Sequence, residues 1–220
     1  MKNSSKIFIF IFFCYLFLFQ NKIFASEIIF DTVELNIINN GKIIKAGPGS
    51  VLSKDDDLKI NAQSFEYNKI FEILNAANGF AELSKKKIEI KANKFIYDKK
   101  KSTIKALGKV QIKDLTNNIT IKTEDIFYKK DVIESTVKSI FTDKLGNNII
   151  TDNFVYTLDD NLIKISNAKI TDTENNIYYI KKAFLNIVTN KLIGKDVAIN
   201  FNNINFNQDN QPRIKGKTTD

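Results

Sequence analysis

Apolar and polar positions along the chain repeat at intervals of about thirty residues. The stretch INAQSFEYNK (60–69) returns as IKANKFIYDK (90–99), with Ile, Ala, Phe, Tyr and Lys at the same offsets. Taking Phe95 as anchor, the equivalent positions are Leu35, Phe65, Phe95, Ile126, Phe154 and Ala183. Two residues beyond them stand Ile37, Tyr67, Tyr97, Tyr128, Tyr156 and Leu185. Five residues before them stand Phe30, Ile60, Ile90, Ile121, Ile149 and Tyr178, and three before stand Thr32, Ala62, Ala92, Thr123, Thr151 and Ile180. Six copies therefore fit the template I-x-[A/T]-x-x-F-x-Y, and a fixed period of this length marks a stack of like units, each burying its apolar side against the next.

The spacing within the template predicts the shape of each unit. Ile90 and Ala92 are two apart, as are Phe95 and Tyr97, which is the spacing of one face of a strand. Between Ala92 and Phe95 the spacing is three, so the inward phase slips by one residue. A strand keeps its apolar side inward across such a slip only by bulging or bending. Each repeat is expected to contain two short strand segments that meet at a corner.

The rest of each repeat also reads as strand. Ile104, Ala106, Gly108, Val110 and Ile112 alternate in STIKALGKVQI, and Phe71, Ile73, Ala77, Gly79, Ala81 and Leu83 are assigned the same phase in FEILNAANGFAEL. Gly49, Gly79 and Gly108 keep the thirty-residue spacing, and glycine within a strand marks a bend or a close backbone approach. Polar turns (YNKI, YDKKKS, DKLGNN, LDDN, VTNK) separate the runs, no stretch has a 3.6-residue period, and no proline occurs between Pro48 and Pro212. The expected class is all-β, built from stacked bent-strand repeats.

Composition narrows the chemistry. MKNSSK, the apolar run Ile7–Phe19 and a small residue at Ala25 have the order of a secretory signal peptide, with a retained N-terminal anchor as the competing reading, so residues 1–25 are read as an export leader and 26–202 as the domain. Cys14 lies in that leader, which leaves the exported part without a thiol or a disulfide. There is no histidine, which removes imidazole bases, catalytic triads and the usual zinc sites, and no catalytic residue, metal or cofactor is assigned. Without the leader, 30 bases face 25 acids, a balance of +5 that a Lys- and Asn-rich composition explains without a nucleic-acid partner. The Lys pairs and triplets at 85–87, 99–101, 129–130 and 181–182 are placed at or near turns, and the Asp runs 55–57 and 159–160 are read as turns.

An exported chain of A-x-x-F-x-Y and A-x-G-x-V units at this period resembles the OstA-like domain family of lipopolysaccharide transport. That family includes LptA, the periplasmic domain of LptC and the N-terminal domain of LptD. QPRIKGK (211–217) is similar to the P-R-[I/L]-K-G segment where the LptD periplasmic domain meets its outer-membrane barrel, so residues 203–220 are read as a linker or tail. The resemblance implies an OstA-like β-jellyroll or β-taco with an apolar trough, located in the periplasm or at the outer membrane. It further implies lipopolysaccharide as partner, with the acyl chains of its lipid A inside the trough, and, for an LptD-type chain, outer-membrane assembly partners. Ile60, Phe65, Tyr67, Ile90, Phe95, Tyr97, Ile126, Tyr128, Phe154 and Tyr156 would line the lipid path. Ile28, Phe30, Leu35 and Ile37 would form an edge that accepts a strand from a similar domain. Three alternatives remain: a free-standing LptA-like carrier, a structural β-solenoid with a closed core, and a polysaccharide-active enzyme, for which no clustered carboxylates are found.

Overall fold

A computed structural model describes residues 28–202 and 212–219; the expected leader (1–25) and the first part of the expected tail lie outside these. The described chain is a single seventeen-stranded antiparallel meander. In chain order the strands are β1 (Ile28–Thr32), β2 (Leu35–Ile38), β3 (Ile43–Ala46), β4 (Gly49–Ser53), β5 (Leu58–Asn68) and β6 (Ile73–Leu83). They continue as β7 (Ile88–Asp98), β8 (Thr103–Asp114), β9 (Ile119–Lys129), β10 (Val132–Ser135), β11 (Ser139–Thr142) and β12 (Asn148–Thr151). The last five are β13 (Asn153–Thr157), β14 (Leu162–Thr171), β15 (Ile177–Asn186), β16 (Lys191–Asn200) and β17 (Arg213–Thr219). One 3₁₀ turn, Ser84–Lys86, is the only helical element among the described residues.

Each long strand bends near its middle, and the short ones are halves of bent strands: β1 pairs with β4 while β2 pairs with β3. The sheet thus folds along one line into two arms. The first arm carries β1, β4, β11, β12 and the matching halves of the long strands; the second carries β2, β3, β10, β13 and the other halves.

The one-residue slip of the template is the corner. In β7, Ile88, Ile90, Ala92, Phe95 and Tyr97 are buried, while Asn93 and Lys94 both face out. The same slip separates Ala62 from Phe65, Thr123 from Ile126, Thr151 from Phe154 and Ile180 from Ala183. The Lys181–Lys182 pair fills the two outward corner positions of β15, mid-strand and not at a turn as expected.

How a corner is closed explains why the template alternates Ala and Thr. A Cβ on Gly79 would lie 2.0 Å from the carbonyl oxygen of Asn61 and 2.8 Å from the Cα of Ala62, and one on Gly49 would lie 2.2 Å from the carbonyl oxygen of Asp31. Glycine here permits backbones to touch at the fold line. At the fourth copy the neighbouring strand is broken at the corner into β10 and β11, at the fifth the copy's own strand is broken into β12 and β13, and in each a threonine hydroxyl bonds at the break. Thr123 Oγ1 meets Ser135 Oγ at 3.1 Å and accepts from Ser139 Oγ at 3.0 Å, while Thr151 Oγ1 donates to the carbonyl of Ser166 at 2.7 Å.

β6 corrects one sequence expectation. Its inward residues are Leu74, Ala76, Ala81 and Leu83, whereas Phe71 is 63% exposed and Ile73 and Ala77 are only half-buried. Asn78 adopts a left-handed backbone (φ 50°), so the inward phase flips at the corner rather than running straight through it. In β8 the alternation does run through, because Gly108 and Lys109 together form a bulge that adds a residue and restores the phase. Left-handed residues also end most hairpin turns, and half of the sixteen non-glycine positions with positive φ among the described residues are asparagines. The asparagine content therefore has a backbone function.

Inside, side chains form rows that cross the strands. One runs Leu35, Ala46, Phe65, Ala76, Phe95, Ala106, Ile126, with large and small residues alternating so that each ring fills the space beside a methyl. A second runs Ile37, Ile44, Tyr67, Leu74, Tyr97, Ile104, Tyr128, Ile133, Tyr156, Ile163, Leu185, Leu192 along the free side of the second arm. A third, on the first arm, includes Phe30, Val51, Ile60, Ala81, Ile90, Ile112, Ile121, Phe141, Ile149, Ile170, Tyr178, Ile199 and Ile214. The sheet continues beyond the boundary expected at residue 202: Arg213–Thr219, expected as linker, is the last strand and pairs with β16.

If glycine at the fold line is required by contact, Gly79→Ala will destabilise the domain by about 2 kcal/mol or more. Gly47→Ala, whose Cβ would meet Glu34 at an ordinary 3.5 Å, will cost within about 0.5 kcal/mol. Urea unfolding midpoints compare the two.

Candidate functional site

The two arms face each other with the inner rows between them. Away from the fold line, their hairpin turns meet along a seam that polar side chains tie shut. Tyr97, on the second arm, bonds Ser53 Oγ at 2.8 Å and donates its hydroxyl to Asp56, both on the first arm. Lys86, in a first-arm turn, pairs with Asp131 at 3.3 Å and with Asp159, both in second-arm turns. Tyr156 donates to Asp114, and Asn117 Nδ2 donates to the Asp114 carboxylate at 2.8 Å and to Asn161 Oδ1 at 2.9 Å. Burial first, and then the bonded carboxylate, push the Tyr97 and Tyr156 hydroxyls well above the ordinary tyrosine pKa. Asp159 and Asp131 raise Lys86 in the same sense, keeping its charge.

Under this seam the residues expected to line a lipid path are packed. Ile60, Ile90, Phe95, Tyr97, Phe154 and Tyr156 are each at most 1% exposed, Phe65, Tyr67 and Ile126 are buried, and Tyr128 is half-buried. Phe141 and Phe154 meet edge to face across the arms at 5.0 Å. The structure brings these ten positions into one largely packed interior, with Tyr97 and Tyr128 bordering a space of about 290 Å³ that opens at the seam among Asp56, Lys86 and Asp131.

A second and more apolar space lies further along. A cavity of about 230 Å³ opens between the arms at the C-terminal end, walled by Ile119, Ile149, Ile170, Ile180, Leu185 and Leu192. Polar groups of Asn117, Asp143, Lys144, Asn147 and Asn190 surround it. None of the lining positions named from the sequence borders it. The signal was nevertheless in the template: the sixth copy has Leu185 where the second to fifth copies have Tyr, and losing that ring leaves room between the sheets.

The ties join three successive first-arm turns to second-arm residues one or two repeats further on, the offset expected of twisted sheets. Among the described residues each end of the stack therefore has an uncovered ledge. At the N-terminal end Leu35 and Ile37 are 46% and 57% exposed, while Ile28 and Phe30 are half-buried and Phe30 packs on Phe65 and Tyr67. Among the described residues β1 and β2 pair on one side only, so the four residues named for partner binding lie on an open sheet edge. At the other end, Ile214 of β17 is 51% exposed.

The geometry defines a bent-sheet stack with an apolar interior, a polar seam and two open edges. Among solved structures the chain is similar to LptH of Pseudomonas aeruginosa, described as the LptA homologous periplasmic component of the lipopolysaccharide transport device. The match has 12% identity, a TM-score of 0.46, and coverage of 59% of this chain and 95% of that one. No protein-family model and no curated protein matches the sequence.

Replacing Tyr156 by Phe leaves the nearly fully buried Asp114 short of one donor and will cost about 2 kcal/mol in urea unfolding. Because the tyrosine pKa values are raised in the fold, the folded state holds its protons when the unfolded chain releases them. Stability is then complete below about pH 10 and falls as pH rises beyond it. Tyr97→Phe with Tyr156→Phe will flatten that alkaline fall in a pH series of melting curves.

Proposed function

We propose that the chain is a periplasmic carrier of lipopolysaccharide, holding lipid A acyl chains between the two arms and leaving sugars and phosphates outside the seam. The observation that carries this reading is the apolar cavity at the C-terminal end. Its walls are members of the same rows that run the length of the interior, Ile149, Ile170, Leu185 and Leu192 among them. The repeat's resemblance to the OstA-like family points the same way. Burying an acyl chain contributes about 0.8 kcal/mol per CH₂, so an apolar slot retains lipid without specific contacts and lets it slide.

On this reading lipid enters at the cavity, and Phe65, Tyr67, Phe95, Tyr97, Ile126, Tyr128, Phe154 and Tyr156, with Ile60 and Ile90, become its lining once the seam ties part. A similar domain would add its terminal strand to β1 and β2 at Ile28, Phe30, Leu35 and Ile37, extending the rows across the joint. The P-R-I-K-G segment supports a role like that of the LptD N-terminal domain. A second reading, a free-standing LptA-like carrier, is favoured by one observation: that segment is itself an edge strand, paired to β16. A barrel reading frame continuous with the gene distinguishes the two.

Photocrosslinking in cells from probes at Leu185 in the cavity wall and at Phe95 and Phe154 in the core is expected to give lipopolysaccharide adducts at all three. Absence of adducts from every interior position in a folded, exported protein overturns the proposal. Leu192→Trp, which fills the cavity from its half-buried wall, is expected to weaken binding of a fluorescent acyl probe to the purified protein about tenfold or more.

A further inference from the structure

The outer face of β13–β16 on the second arm is unlike the rest of the surface. Their outward positions form a grid of three rows. The row beside the fold line is Asn153, Ser166, Lys182 and Lys195. The middle row is Val155, Lys164, Phe184 and Ile193, and the row beside the turns is Thr157, Leu162, Asn186 and Lys191. These twelve positions hold four lysines and no carboxylate. Phe184 and Ile193 lie side by side at the centre, each 44% exposed, with Lys164 Nζ 5.9 Å from the Phe184 ring centre. Val188, 54% exposed, sits in the turn joining their strands.

Lysine-rich composition does not account for this. On the same face nearer the N-terminus Lys105 also lies 6.0 Å from the Phe127 ring centre, but there bases and acids are interspersed, and Lys45 pairs with Glu66 at 3.5 Å. Glu134 stands at the near margin of the grid, and Asp152 and Asp196 at its fold-line margin. Within the grid the acids are missing, and none of its four lysines forms an ion pair among the described residues. An apolar centre ringed by cations is the arrangement that meets a lipid headgroup layer: ammonium groups at the phosphates, ring and branched chain at the acyl boundary. A soluble acidic protein would satisfy the lysines and leave Phe184 and Ile193 without a comparable apolar layer.

We propose that this face docks the domain side-on to an anionic phospholipid bilayer. The surface lies outside the arms, so it works independently of what the interior carries. The test is flotation of the chain from Ser26 onward, which contains every described strand, with vesicles of phosphatidylglycerol and phosphatidylcholine or of phosphatidylcholine alone. Binding is expected to the anionic vesicles only and to fall at high salt. Lys182→Glu with Lys195→Glu, and separately Phe184→Ser with Ile193→Ser, should each reduce it about tenfold or more. Lys59→Glu with Lys91→Glu, an equal charge change on the outer face of the first arm, should leave it nearly unchanged. Melting curves confirm that each variant is folded. Any one of three results overturns the proposal: no flotation with anionic vesicles, equal loss in the Lys59/Lys91 pair, or self-association abolished by Phe184→Ser with Ile193→Ser in place of vesicle binding.

Discussion

The structure depends on one constraint: every strand must turn a corner while keeping the same side inward. Side chains alternate along a strand, so a bend without a slip in phase would put polar residues into one arm or apolar residues out of the other. The chain meets this in three ways. Most strands take two consecutive outward residues, as at Asn93–Lys94 and Lys181–Lys182. β6 uses left-handed Asn78, and β8 adds a bulge at Gly108–Lys109. Because each solution places the corner at the same level, glycine or a threonine hydroxyl closes the fold line next door, and the inner rows stay in register over the whole stack.

That constraint is local, and so it was legible in the sequence. The thirty-residue period, the Ala92–Phe95 slip, the periodic glycines and the turns all belong to near neighbours in the chain. β6 was misread because a left-handed asparagine leaves no mark on hydrophobic spacing. The seam was not legible at all: its ties join residues more than forty positions apart, and Asp56, Lys86 and Asn117 in turns and Asp114 at a strand end all lie outside the template. Whether the interior is filled or open depends on the separation of the arms, which twist and those ties set. The cavity was readable only in retrospect, from the missing ring at Leu185.

Two kinds of contact hold the arms together, and they respond differently to a lipid. Apolar contacts between the rows are replaced by similar contacts with acyl chains at little cost. The seam ties are polar, few and aligned along one edge, while the opposite edge is continuous backbone folded at glycine and threonine. On the proposed carrier function, the molecule would part along the seam and bend at the fold line. A cavity of about 230 Å³ has no room for a lipid with several acyl chains, so carrying such a lipid requires that parting.

The most direct measurement is the distance across the seam. Spin labels at Lys85 and Lys130, exposed residues in turns on opposite arms, report it by pulsed dipolar spectroscopy. Adding lipopolysaccharide to the purified protein is predicted to lengthen that distance, with a second population growing as the lipid binds. Bound lipopolysaccharide with an unchanged distance distribution would contradict an interior that opens to carry it.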